Sequence, residues 1–221
     1  MSNDSKSAMF ADGVLLYKVV WSLSDFRDLQ SNVTHLSSGY QSDHDLELNV
    51  KSANCMLLLS RKWVPTCTQT VVVDGQPLEK VLSYKYLGVL ISYNLSLGNH
   101  VSNICSRAKK HMGMLYCRFY HDSDSNTLRM LYTTSVRPLL EYAVPVWDPH
   151  LVKDIEAIKS VQRFTTKVCT KAWQGVDYKD QLSMLNLTTL EARWTILKHC
   201  FLYKVLNGQA FFPNSSHHPQ A

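Results

Sequence analysis

The spacing of apolar residues changes period near residue 95, and this change constrains the fold more than any single motif. Before it, short apolar runs alternate with one helical stretch. Met9-Phe10 and Val14–Tyr17 flank the turn Ala11-Asp12-Gly13, an Asp-Gly hairpin signal. Ser22-Leu23-Ser24-Asp25 has the spacing of a capping box. Phe26, Leu29, Val33 and Leu36 then recur on one face of the helix it would start. Leu46, Leu48 and the run Cys55–Leu59 read as strands. Asp74-Gly75 joins Val71–Val73 to Leu78-Glu79 as a second hairpin, and Tyr84–Ser92 reads as a further strand. These pieces predict part of an antiparallel sheet crossed by a helix, with one edge left open.

From about residue 97 the period is helical. Val101, Ile104, Ala108, Leu115 and Phe119 predict the buried face of one helix, with Arg107, Lys109 and Lys110 crowding its middle turns. Asp124-Ser125 caps a second, with Leu128, Leu131 and Ser135 on one side and Pro138 near its end. Pro149 opens a third, in which Ile155, Ile158 and Val161 bury. Lys159, Arg163, Lys167 and Lys171 follow at steps of four. Each step advances roughly 40° on a 3.6-residue helix, so the four form a slowly winding basic stripe. Thr188-x-x-Glu191 predicts the capping box of a last helix. Leu190, Trp194, Leu197, Phe201 and Val205 would line its core face, and Gly208 would end it. The expected fold is α+β: an antiparallel sheet with a helix over 1–95, an all-helical region over 96–213, and a disordered tail over 214–221.

Composition narrows the function classes. A hydrophobic content of 45% over 221 residues is enough for a folded core. No run approaches the ~18 apolar residues of a membrane span. Met1–Lys6 lacks a basic-then-apolar leader, so we expect a nuclear or cytoplasmic protein rather than a secreted one. The sequons at Asn32, Asn94, Asn186 and Asn214 then read as chance matches. Cysteines at 55, 67, 105, 117, 169 and 200 include no C-x-x-C pair and predict reduced thiols. His217-His218 reads as tail rather than metal site. Asp122-x-Asp124-x-Asn126 starts like a calcium loop but continues with Thr127 and Thr133 where glycine and glutamate belong, which makes it a helix cap. Phosphate-loop, zinc-protease and serine-hydrolase motifs are absent from the sequence.

Charge is unevenly placed. Between Leu97 and Trp173 stand eleven Lys/Arg and six Asp/Glu, which accounts for the whole net charge of +5. A basic middle between neutral ends fits a phosphate footprint, and equally a solvated helical surface. Tyr116, Phe119, Tyr120 and Trp173 lie near these cations, where they stack on bases or pack in the core.

Several strings then converge on one family. Leu48–Lys51 through Met56 and Ser60-Arg61-Lys62, Tyr84-Lys85-Tyr86-Leu87-Gly88-Val89, the long Val136–Pro149 string, Leu190-Glu191-Ala192-Arg193 and Asn207-Gly208 carry the match. Together they resemble the late palm and thumb of reverse transcriptases from LINE-type, jockey-like non-LTR retrotransposons. The resemblance runs from near residue 8 to near residue 213. It implies a truncated palm with a primer-grip hairpin over 1–95 and a basic helical thumb and connection region over 96–213. It implies Asp12 as a surviving palm ligand for Mg2+ and Lys51 as the late-palm lysine near the departing pyrophosphate. Tyr86, Leu87 and Gly88 would match the primer grip, and Arg107, Lys109 and Lys110 the thumb along an RNA or RNA–DNA template–primer. The stripe Lys159, Arg163, Lys167 and Lys171 would add phosphate contacts.

Two-metal phosphoryl transfer needs several converging carboxylates. Gly13 stands where a second aspartate is expected, and the eleven residues before Asp12 leave no room for an earlier strand with another. We therefore expect a chain without polymerase activity by itself, unless a second reverse-transcriptase chain supplies the missing carboxylates. The competing readings are a helical protein–protein interaction module and the non-functional product of a decayed retroelement copy.

Overall fold

The structure, a computed structural model, describes residues 5–10, 13–44, 48–58, 69–172 and 174–210. Asp12, Leu46, Leu59, Cys67, Trp173 and the 214–221 tail with His217-His218 lie outside the described residues. The chain mixes helix and strand and divides into two compact units. One comprises Met1–Tyr84 with Ser92–Leu95, the other Lys85–Ile91 with Ser96–Ala221.

In the first unit, β1 (Lys6–Phe10) and β2 (Gly13–Tyr17) pair antiparallel with Phe10 opposite Gly13, as the hairpin signal predicts. Helix α1 (Leu23–His44) follows. Its capping box is reciprocal: Asp25 N–H donates to Ser22 Oγ, and Ser22 N–H donates to Asp25 Oδ2 at 2.9 Å. The Ser22 hydroxyl, which donates to Asp25 Oδ2, and then the Trp21 N–H hold the Asp25 carboxyl below its ordinary range. Phe26, Leu29, Val33 and Leu36 are all half-buried on its inner face.

Four short strands follow: β3 (Asn54–Cys55), β4 (Val72–Val73), β5 (Gln76–Pro77) and β6 (Glu79–Lys80). Asp74 (φ 48°) and Gly75 (φ 78°) make the left-handed turn between β4 and β5, as their sequence predicts. Gln30 of α1 acts as a surrogate strand beside β4. Its Nε2 donates to Val72 O at 2.7 Å, and its Oε1 accepts from Val72 N at 2.9 Å. Ser37 Oγ lies 2.6 Å from Asp74 Oδ1 and ties the same hairpin to the helix.

The expected single antiparallel sheet does not form among the described residues. The strands pair as separate two-stranded ladders, and β3 with β6 is parallel. Strands of two residues offer too few ladder bonds to recruit a third, and Pro77 contributes no N–H. Leu57 and Leu58, read as strand, are exposed and irregular. Tyr84–Ser92, read as one strand, is instead the hairpin β7 (Ser83–Tyr86) and β8 (Val89–Ser92). Leu87 and Gly88 both take positive φ, 45° and 86°, and reverse the chain.

The second unit is helical: α2 (Gly98–Phe119), α3 (Ser125–Leu131), a π-helical segment (Tyr132–Val136), α4 (Arg137–Glu141), α5 (Val144–Trp147), α6 (Val152–Thr170), α7 (Tyr178–Met184) and α8 (Leu190–Leu206). Its core draws Val101, Ile104, Ala108, Met112 and Leu115 from α2 and Ile158, Val161 and Val168 from α6. Leu128, Tyr132, Val136, Leu140, Val144 and Trp147 supply the centre, and Leu190 and Trp194 close it. Helices α2 and α6 lie side by side in the same direction. At one end a Cβ built on Gly98 would stand 3.8 Å from Asp154 Oδ1, and at the other Lys171 Nζ lies 5.3 Å from the Tyr120 ring centroid.

Local caps follow the sequence closely. Asp124 Oδ1 accepts from Thr127 N at 2.9 Å and starts α3. Other details differ. Thr189, not Thr188, caps α8, its Oγ1 accepting from Ala192 N, while the Thr188 carbonyl accepts from Gln162 Nε2. Pro149 precedes α6 by three residues rather than opening it. Phe119 and Phe201 are exposed where burial was expected, because each lies in the last turns of its helix beyond the packed stretch.

Candidate nucleic-acid interface

The apolar positions of α2 turn its cations outward. With Val101, Ile104, Cys105, Ala108, Met112 and Leu115 buried, Lys110 is left exposed on the opposite side, and Arg107 and Lys109 are exposed on the two flanks. No ion pair joins any of the three to a carboxylate among the described residues.

The stripe along α6 is not uniform. Lys159 Nζ lies 2.8 Å from Glu191 Oε1 of α8 and 3.4 Å from Glu156 Oε1, one turn earlier on its own helix. Arg163 reaches 3.0 Å to Glu156 Oε2 and places its guanidinium over Tyr178. These contacts lower the Glu156 carboxyl, chiefly through Arg163, and raise the Lys159 ammonium, chiefly through Glu191. Lys167 is exposed on the last turn, with no such pair among the described residues. Lys171 falls just past the helix in a left-handed cap (φ 55°), so the four-residue periodicity ends before it. Its ammonium meets the Tyr120 ring instead.

The remaining sequence-derived site residues lie on other elements. Tyr86 is half-buried and Leu87 exposed at the β7–β8 turn. Tyr142 Oη donates to Leu87 O at 2.8 Å, and a Cβ on Gly88 would come within 2.9 Å of Tyr142 Cε1. Lys51 is exposed at a turn of the first unit. Asp12 lies outside the described residues, and Gly13 offers no side-chain ligand. Among the described residues, no three His, Cys, Asp or Glu side chains converge as a metal ion would require.

The Val136–Pro149 string, the longest motif in the chain, serves packing. Leu140, Val144 and Trp147 are fully buried. Glu141 takes both ends of the Arg193 guanidinium, with Nη2 3.0 Å from Oε2, and lies 3.6 Å from Arg137 Nε. Trp147 Nε1 donates to Tyr142 O, and Trp194 Nε1 donates to Leu140 O. Ala143 adopts a left-handed conformation (φ 56°) that breaks α4 from α5.

Several polar residues escaped sequence reasoning. Buried Gln162 accepts from Tyr178 Oη and Leu190 N, tying α6 to α7 and α8. Buried Gln181 accepts from Thr166 Oγ1 and donates to Val176 O. Glu191, which neutralises Lys159, sits 32 positions away in sequence and becomes its neighbour only through helix packing. Only the i,i+3 spacing of Glu156 and Lys159 carried a readable signal.

Comparison with protein-family models, curated proteins and solved structures finds no match to this chain. Among the described residues, no helix is long and apolar enough to cross a membrane.

Proposed function

We propose that this chain is a nucleic-acid-binding protein of non-LTR reverse-transcriptase type, which contacts the phosphates of an RNA or RNA–DNA template–primer through its helical unit. One observation carries the reading: Arg107, Lys109, Lys110 and Lys167 stand exposed without carboxylate partners among the described residues. The family part rests on the sequence strings alone. With Gly13 beside Asp12, the turn offers too few carboxylates for two-metal polymerase chemistry by this chain itself.

The test is anisotropy of a labelled RNA–DNA hybrid across a salt series. Phosphate binding gives an affinity that falls by about 0.9 log units per log unit of salt for each duplex contact. Arg107→Glu with Lys110→Glu and Lys167→Glu should weaken binding in proportion. A protein that melts cooperatively and binds no hybrid at low salt overturns the proposal.

A second reading, a helical protein-interaction module, is favoured by α8. It leaves Ile196, Leu202, Tyr203 and Leu206 more than half exposed. Binding to a protein partner that persists at high salt, with no nucleic-acid binding, would support it instead.

A further inference from the structure

The basic stripe of α6 is divided by its own counter-charges, and a small cavity lies at the division. The cavity, about 120 Å3, is lined by Lys159, Arg163, Tyr178, Thr189 and Glu191 among others. Its two cations are met by two carboxylates: Glu191 on Lys159, and Glu156 on both Lys159 and Arg163. Both carboxylates are about half exposed, 46% for Glu156 and 49% for Glu191. Exposed pairs of this kind are weak, so an incoming anion can displace them. Arg163 is also held from another side: it lies over the Tyr178 ring, and Tyr178 is anchored by its hydroxyl on buried Gln162.

Resting on the nucleic-acid reading above, we propose that this cavity seats one backbone phosphate and that Glu156 and Glu191 are a built-in competitor for it. In the free protein the carboxylates occupy Lys159 and Arg163, and only the unpaired cations take up the polyanion at first. Displacing the carboxylates adds Lys159 and Arg163 to the contact. The occupant is a phosphodiester of nucleic acid rather than a protein acid, because a second carboxylate would gain nothing over the two already present, whereas a polyanion brings its phosphates at the effective concentration set by contacts elsewhere on the unit.

The experiment measures hybrid affinity against salt for the full chain, for Glu156→Gln with Glu191→Gln, and for that pair combined with Lys159→Gln and Arg163→Gln. Thermal melts confirm that each variant is folded. The double glutamine variant should bind several-fold tighter, with a salt slope steeper by about 0.9, the equivalent of one added duplex phosphate contact. Adding Lys159→Gln and Arg163→Gln should erase that gain. A folded double glutamine variant that binds with unchanged affinity and slope, while the wild type binds, overturns this inference and leaves the nucleic-acid reading standing. A gain that survives loss of Lys159 and Arg163 also overturns it, since that variant has the wild-type net charge and lacks both cations of the cavity. Absence of binding by the wild type and every variant overturns the reading itself.

Discussion

Tyr142 and Leu87 are 55 residues apart, yet the Tyr142 hydroxyl donates to the Leu87 carbonyl at 2.8 Å, and its ring covers Gly88 so closely that a side chain there would have to push it aside. The turn that the sequence resemblance assigns to primer contact is thus clamped by the string that the same resemblance shares most fully. A turn held from outside keeps its shape when the strands beside it are only four residues long.

Substitutions at this clamp should rank in a definite order. Tyr142→Phe removes one exposed hydrogen bond, which water can replace at the carbonyl, and should cost about 0.5–1 kcal/mol. Gly88→Ala meets both a left-handed backbone at φ 86° and the Tyr142 ring at 2.9 Å, and should cost about 2–3 kcal/mol. Urea denaturation with a common m-value measures both. A Gly88→Ala cost smaller than that of Tyr142→Phe would show that the ring moves aside freely.

Glu141 is the acceptor for two arginines, Arg193 and Arg137, in a mostly buried setting with 13% of its side chain exposed. Truncating it to Ala leaves both guanidinium groups short of charge. The loss should be about 2–4 kcal/mol, below the upper range for fully buried pairs because the arginines keep some solvent. Arg193→Met should be milder, since Glu141 retains Arg137. Chemical denaturation of the two variants side by side decides this, and equal costs would mean Arg137 contributes nothing.

His100 is buried with Nδ1 accepting from Leu90 N at 3.2 Å, and its edge meets the Trp147 ring. Burial, with help from Arg107, lowers its pKa from the ordinary 6.5. The unfolded chain therefore binds a proton there at a higher pH than the native one does. Stability is complete above about pH 6.5 and declines as pH falls from there toward the depressed native value. His100→Asn keeps an acceptor for Leu90 N–H and removes the titration. Its stability should be flatter than wild type between pH 7 and 5 in denaturant titrations. Identical slopes would mean His100 protonates as easily folded as unfolded.

The thiols should divide by burial. Cys105 and Cys169 are pushed up to about 11 and about 12 by burial, whereas Cys117 and Cys200 are exposed. Ellman's reagent should modify Cys117 and Cys200 in the native protein at pH 8, and Cys105 and Cys169 only after denaturation. Peptide mapping of the labelled sites checks it. Fast native labelling of Cys169 would show that α6 opens readily.

Elements with local causes were legible from residues alone. The Ser22–Asp25 capping box, the Asp74-Gly75 turn, the Asp124 cap and the inner face of α2 as far as Leu115 each depend on groups within about one or two helical turns, and each forms as read. What failed depends on distant partners. The sheet was overestimated because strand length is settled by pairing, and no third strand joins the short ladders among the described residues. The far end of α8 was assigned to the core by periodicity, but the packed layer stops near Trp194 and leaves Phe201 outside.

The same division holds for the basic stripe. Spacing alone places Lys159, Arg163 and Lys167 on neighbouring rows of one helix, because the backbone repeat dictates it. Which of them keeps its charge free is decided by Glu191 arriving from α8, and by the left-handed cap that swings Lys171 onto Tyr120. Local backbone geometry acts between near neighbours and is written in the order of residues. Electrostatic pairing acts through space, so it is decided only when distant helices pack.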